Sequence, residues 1–97
     1  MTEQRLQLVD MFGSIPAGRP SGAALREAIE RLAAGGGVVV ILDLSGVEDV
    51  TPSVADELFG KLPLSLPEER LRFENLSEHL AEVAERALRV RRAREPA

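Results

Sequence analysis

Residues 38–60 constrain the fold more than any other part of this 97-residue chain. Val38 to Leu42 is an unbroken run of apolar, mostly β-branched residues, which is typical of a strand covered on both faces. The run ends at Asp43, a short polar loop follows, and Thr51-Pro52-Ser53 has the composition of a helix start. A buried strand, a loop and a capped helix in this order predict an α/β fold whose loop carries the function.

Hydrophobic periodicity predicts the elements on either side of this unit. We expect an N-terminal strand region within residues 1–12, centred on Arg5 to Met11, and then a helix over about 22–34 that Ser21 caps. The glycines at 35–37 end that helix and lead the chain into the buried strand.

The chain after the central helix contains two further predicted elements. Pro63 and Pro67 are expected to bracket a linker that is not helical, and residues 71–74 alternate in the manner of an edge strand. Asn75-Leu76-Ser77 precedes a last helix, and residues 91–97 form a basic tail that we expect to fray. The order β-α-β-α-β-α predicts one domain with a small, mostly parallel sheet and helices on both of its faces.

Composition excludes several classes of site. The chain has no cysteine, which rules out disulfides, thiolate zinc sites and a cysteine nucleophile. Aromatic residues make up 3% of it, which argues against stacking platforms for nucleic-acid bases. No apolar stretch approaches the roughly 20 residues of a membrane span, and the polar N-terminus does not resemble a signal peptide. We therefore expect a soluble, cytoplasmic protein.

The net charge of −4 is unevenly distributed. Residues 1–85 contain 15 acids and 7 bases, whereas residues 86–97 contain five arginines and one acid. An acidic body does not favour nucleic acid as the main partner. The arginine tail nevertheless leaves a nucleic-acid-binding accessory protein as one alternative function. The simpler interpretation is that cations accumulate where the helix dipole favours them, at a C-terminus.

Strand-end and loop residues supply the candidate chemistry. Asp43, Ser45 and Asp49 could serve a small nucleotide-binding or enzymatic subunit, because acids at the carboxyl ends of parallel strands often contact ligands. A simpler role for Asp43 is to cap the turn at Ser45-Gly46. His79 is the sole histidine, and without an orienting carboxylate we expect it to be a surface residue.

The helix after the loop also carries specific expectations. Thr51 and Ser53 are explained by helix capping. Asp56 and Glu57 are adjacent in sequence, so on a helix they diverge and are expected at its surface. Gly60 disfavours a helix interior by up to about 1 kcal/mol relative to alanine, so we expect a neighbouring element to pack closely there. The core residues predicted for this helix are Val54, Leu58 and Leu62.

From Leu42 to Leu62 the chain reads LDLSGVEDVTPSVADELFGKL. This block resembles the STAS-like family of uncharacterised bacterial proteins, whose pattern is LDFSGVxxVxxSFADELFGKL, and is similar to the STAS domains of anti-sigma factor antagonists. Residues 18–22 resemble the family's Arg-x-x-Gly turn ahead of the first helix, and residues 75–78 resemble the start of its last helix. Together these segments extend over most of the chain beyond residue 13.

The resemblance implies a STAS-like fold and a non-enzymatic regulatory module with no cofactor or metal. STAS domains bind partner proteins, notably GHKL-type ATPases that act as serine kinases, through the strand-to-helix loop and the helix after it. The serine that is phosphorylated in true antagonists corresponds here to Pro52, which has no hydroxyl, so Ser53 and Thr51 are the candidate phosphoacceptors. The resemblance does not decide whether the chain forms a homo-oligomer. The residues predicted to contact a partner are Ser45, Asp49, Thr51, Ser53, Asp56 and Glu57.

Overall fold

A computed structural model describes residues 1–94 and contains a three-stranded, fully parallel sheet. The strands are β1 (Thr2–Gln7), β2 (Val38–Asp43) and β3 (Leu71–Glu74), with β2 in the centre. The register aligns Arg5 of β1 with Ile41 of β2 and with Arg72 of β3. The predicted central position of the apolar run is therefore confirmed.

Helices connect and follow these strands. Helix α1 (Leu8–Phe12) and helix α2 (Arg19–Ala34) precede β2. A continuous helical segment, α3, covers residues 52–65, and its middle part, Asp56–Lys61, has π-helical hydrogen bonding. A 3₁₀ turn at Glu68–Arg70 precedes β3, and α4 (Glu78–Arg94) follows it. This arrangement is the predicted β-α-β-α-β-α order with α1 added.

Three predicted boundaries were wrong. The N-terminal strand ends at Gln7, because Leu8 begins α1 and turns its side chain into the core. Helix α2 begins at Arg19 with Gly18 as its N-cap residue, since Pro20 fits the first helical turn ahead of Ser21. Pro63 lies just after the π-helical turn, where the i→i−4 hydrogen-bond pattern is already replaced, and the helix continues through it to Ser65.

The hydrophobic core lies on one face of the sheet. Val40 and Leu42 of β2 point to that face and pack in a single cluster with Leu25 of α2, Leu58 of α3 and Leu80 of α4. The expectation of helices on both faces was wrong for residues 1–94. Of the three strands, β2 alone is apolar on both sides, whereas β1 and β3 place charged or amide side chains at every position of the second face.

The second sheet face is covered by its own charged side chains. Arg5 donates to Asp43 at 2.9 Å and to Glu74 at 2.7 Å, and Arg72 donates to Glu3 at 2.6 Å. Ile41 lies between the two arginines in the register and is nevertheless buried. The aliphatic stems of long cationic side chains account for this burial, because they can cover apolar surface while their charged ends reach water.

Glycines permit close helix packing on both sides of α3. A Cβ atom at Gly22 of α2 would lie 3.3 Å from the Cα atom of Val54. A Cβ atom at Gly60 would lie 3.1 Å from the carbonyl oxygen of Ala87 in α4. The expectation that Gly60 marks a close contact is confirmed, and the two glycines fix α3 between α2 and α4.

Candidate functional site

The loop between β2 and α3 is anchored by alternating apolar residues. Leu44, Val47 and Val50 are buried, whereas the intervening polar residues face outward. The backbone N–H groups of Glu48 and Thr51 donate to carbonyl oxygens in the preceding loop, those of Ser14 (2.8 Å) and Pro16 (3.2 Å). The loop is therefore a fixed surface.

Asp43 closes the carboxyl end of the central strand. Its carboxylate accepts hydrogen bonds from the Asn75 side chain at 2.9 Å, the Ser45 backbone N–H at 2.9 Å and Arg5 at 2.9 Å. These donors, the Asn75 amide first among them, hold the pKa of Asp43 far below its usual range. The carboxylate is thus already engaged as a turn cap, the simpler of the two roles predicted for it.

Asp49 and His79 form a pair on the surface of the loop. The Asp49 carboxylate lies 2.9 Å from Nε2 of His79 and also accepts the Val50 N–H. The contact with His79, followed by the Val50 N–H, lowers the pKa of Asp49. Asp43 and Asp49 therefore have different partners, and the carboxylate that orients His79 comes from a loop 30 residues away in the sequence.

The two candidate phosphoacceptors occupy different environments. Thr51 is the N-cap residue of α3 by its backbone conformation, but its hydroxyl is buried and has no hydrogen-bond partner in the described part of the chain. The predicted side-chain cap is therefore not formed there. Ser53 is half-buried in the first turn of α3 and lines a groove at the protein surface.

The prediction that placed Asp56 and Glu57 at the helix surface was wrong, since Asp56 is half-buried and Glu57 is buried. Glu57 is fully buried and accepts from Arg19 at 2.6 Å, Lys61 at 2.7 Å and Arg26 at 3.1 Å. Burial raises the pKa of Glu57, but the hydrogen bonds from Lys61 and Arg26 outweigh it, so the net pKa is lowered. The π-helical turn and the arginines of α2 bring these groups together.

Asp56 is held in a similar way by the C-terminal part of the chain. Arg91 donates from Nε to Asp56 at 3.0 Å, and Arg19 donates to the same carboxylate at 3.0 Å. The bond from Arg91, then that from Arg19, lowers the pKa of Asp56. The tail that was predicted to fray is therefore helical up to position 94, with Arg91 held by Asp56, and positions 95–97 lie outside the described residues.

A groove separates the start of α3 from α4. Val83 and Val90 provide apolar wall on the α4 side, and Val90 is 43% exposed. Of the residues predicted to contact a partner, Asp49, Ser53 and Asp56 line this groove, whereas Ser45 is exposed on the neighbouring turn. The charged residues along the groove are Arg19, Asp49, Asp56, His79, Glu82, Glu85, Arg86, Arg89 and Arg94.

Sequence reasoning missed the α4 wall of the groove. No local pattern shows that this helix faces the loop, although the seven-residue spacing of Val83 and Val90 places both on one flank of it. The groove is lined by charged residues of both signs. Within residues 1–94 no three acidic or histidine side chains gather as a metal ion would require, and no helix has the length and apolarity of a membrane span.

Comparison with known proteins identifies the family. A family model described as a STAS-like domain of unknown function matches residues 21–81. The chain belongs to this family, and its small parallel sheet with helices is consistent with a STAS-like fold. A search of curated proteins and a search of solved structures each returned no match.

Proposed function

We propose that the chain is a non-enzymatic regulatory module that binds a protein partner through its groove. The binding surface comprises the loop over residues 45–53, the first turn of α3 and the flank of α4 that faces them. One observation carries this proposal: the accessible polar groups of the loop lie beside the half-buried Val83 and the exposed Val90 of α4 in an open groove. Such a mixture is typical of protein-binding surfaces with an apolar centre and a polar rim.

The state of the carboxylates supports binding over catalysis. Asp43, Asp56 and Glu57 are each neutralised by internal donors, and none of them is free to take up a substrate proton. General acid or base catalysis needs an accessible group within hydrogen-bond reach of the reacting atom. A small nucleotide-binding or enzymatic subunit that uses Asp43, Ser45 and Asp49 is the alternative, and it is weaker because Asp43 is fully occupied as a turn cap.

The partner class that the STAS resemblance implies is a GHKL-type ATPase. Ser53 is the accessible hydroxyl of the two candidate phosphoacceptors, and its place in the first turn of α3 suits added negative charge. Phosphorylation of Ser53 would introduce charge and bulk into the middle of the groove, and it is the regulatory step that accompanies this proposal.

The direct test compares two glutamate substitutions in the same helical segment. Ser53→Glu places a charged side chain in the groove, at a helix start that tolerates acids, whereas Leu64→Glu introduces the same side chain at an exposed position outside the groove. Binding to purified GHKL-type ATPase domains from the source organism is measured by titration calorimetry. We expect Ser53→Glu to weaken binding at least about tenfold, the equivalent of about 1.4 kcal/mol, and Leu64→Glu to bind like the wild type.

Two results would contradict the proposal. Equal affinities for both variants, with intact circular dichroism spectra, would move the partner site away from the groove. Turnover of a small substrate by the purified wild-type domain would overturn the assignment as a non-enzymatic module.

A further inference from the structure

Helix α4 has a flank whose residues are mostly exposed. His79, Val83, Arg86, Val90 and Arg94 recur at intervals of three or four residues and line the groove side of the helix. Val83 is half-buried and Val90 is exposed, so the apolar side chains of this flank are only partly covered by the domain itself and are accessible to a partner. Val83 and Val90 are seven residues apart, about two helical turns, so both valines lie on the same flank of the helix.

Charge is segregated along the same helix. Its N-terminal half carries Glu78, Glu82 and Glu85, and its C-terminal half carries five arginines. Glu82 and Arg86, like Glu85 and Arg89, are four residues apart but form no ion pair, and within residues 1–94 neither Glu82 nor Arg89 has an ion-pair partner. Both side chains are therefore available to pair with another surface that places a basic group opposite Glu82 and an acidic group opposite Arg89.

We infer that the α4 flank docks a second copy of this chain, with the two α4 helices antiparallel across a two-fold axis. An antiparallel copy reverses the charge gradient, so the acidic half of each helix meets the basic half of the other. Glu82 and Arg89 are seven residues, or about 10 Å, apart on one side of the contact between the helices, so the symmetric arrangement forms two Glu82–Arg89 pairs between copies. The antiparallel helix dipoles add to the attraction.

The apolar contact and the charged contact have different roles. Burial of Val83 and Val90 against the other copy removes apolar surface from water and supplies the favourable free energy. The glutamate–arginine pairs at the rim fix the antiparallel direction, since a parallel arrangement would set like charges against each other. The inference concerns self-association and does not depend on a GHKL-type ATPase partner, although the two surfaces overlap and would compete.

Oligomeric state in solution provides the test. Light scattering after gel filtration of the full 97-residue chain at low salt is expected to give twice the monomer mass of 10.5 kDa. The variants Glu82→Arg and Arg89→Glu should each be monomeric, because each creates two pairs of like charges across the axis. An equimolar mixture of the two variants should recover the dimer mass, because every rim contact is then again between opposite charges.

A charge-swapped chain and a salt series complete the design. The double variant Glu82→Arg/Arg89→Glu should dimerise by itself, and 1 M salt should weaken the wild-type dimer by screening the rim pairs. Both positions are exposed, so circular dichroism is expected to show an intact fold in every variant. A monomeric wild type, or single variants that dimerise as well as the wild type, would overturn the inference.

Discussion

Glu57 shows how a charged residue can belong to the core of a small domain. Its carboxylate is fully buried, yet three cations from α2 and from its own helix surround it. Two of these, Arg19 and Arg26, are more than 30 residues away in sequence, so no local pattern indicates that they will meet Glu57. The sequence-based prediction placed Glu57 on a solvent-exposed face because it rested on one local feature, the adjacency of Glu57 to another acidic residue, Asp56.

Removal of this carboxylate should destabilise the domain. Glu57→Ala leaves Arg26 and Lys61 with an unfilled space between them, and we expect the free energy of unfolding to fall by about 2–3 kcal/mol. The partly exposed cations can still reach water, which keeps the loss at the lower end of the range for broken buried pairs. Urea denaturation measures the difference, with Glu69→Ala in the exposed 3₁₀ turn as the control. Equal unfolding midpoints for the two variants would contradict the buried ion cluster.

At the level of elements, α3 is the helix that organises the domain. It packs against α2 through Gly22 and against α4 through Gly60, and its π-helical turn directs Asp56 and Glu57 toward cations on both neighbours. The sequence predicted its start at Thr51-Pro52 and its core residues, since capping and periodicity are local properties. It did not predict the π-helical turn or the helical geometry at Pro63, which depend on contacts with other elements.

Gly60 provides a test of this packing. A methyl group there would lie 3.1 Å from the Ala87 carbonyl oxygen and 3.0 Å from Oδ1 of Asp56, so α4 or the Asp56 ion pair must shift. We expect Gly60→Ala to lower the free energy of unfolding by about 1–3 kcal/mol despite the gain of up to about 1 kcal/mol in helix propensity. Gly35→Ala is the control, because Gly35 has a right-handed helical conformation and open space around it. A Gly60→Ala variant at least as stable as Gly35→Ala would contradict the close contact.

For the whole molecule, the sequence predicts the central strand and the family that residues 42–62 resemble. It does not predict which faces of the sheet the helices cover. Val38 to Leu42 was recognised as central because its residues are apolar on both sides. The uncovered second face follows from the side chains that β1 and β3 contribute, and their pairing depends on a register that the sequence does not reveal. The loop's place directly after β2 follows from the local sequence, whereas the α4 wall of the groove depends on how α4 packs, which no local pattern reveals.

The ion pairs of the whole molecule predict its response to acid. Asp43, Asp49, Asp56 and Glu57 all have pKa values below their ordinary ones in the folded protein. The unfolded chain therefore binds more protons below about pH 4, so this contribution to stability is present above that pH and is lost as the pH falls through the folded values. We expect the melting temperature to be nearly constant between pH 8 and pH 5 and to decrease below about pH 4. A melting temperature that rises on acidification would contradict these paired carboxylates.

The central claim is that the groove between the loop and α4 binds a partner protein, and amide chemical-shift mapping tests it most directly. The ¹⁵N-labelled domain is titrated with an unlabelled GHKL-type ATPase domain from the source organism. We expect the perturbed amides to cluster in residues 45–53 and along the groove flank of α4 from His79 to Val90, whereas Arg5 and Arg72 on the open sheet face stay unchanged. Perturbations confined to the sheet face, or none with any such ATPase of the organism, would show that the groove does not bind this partner.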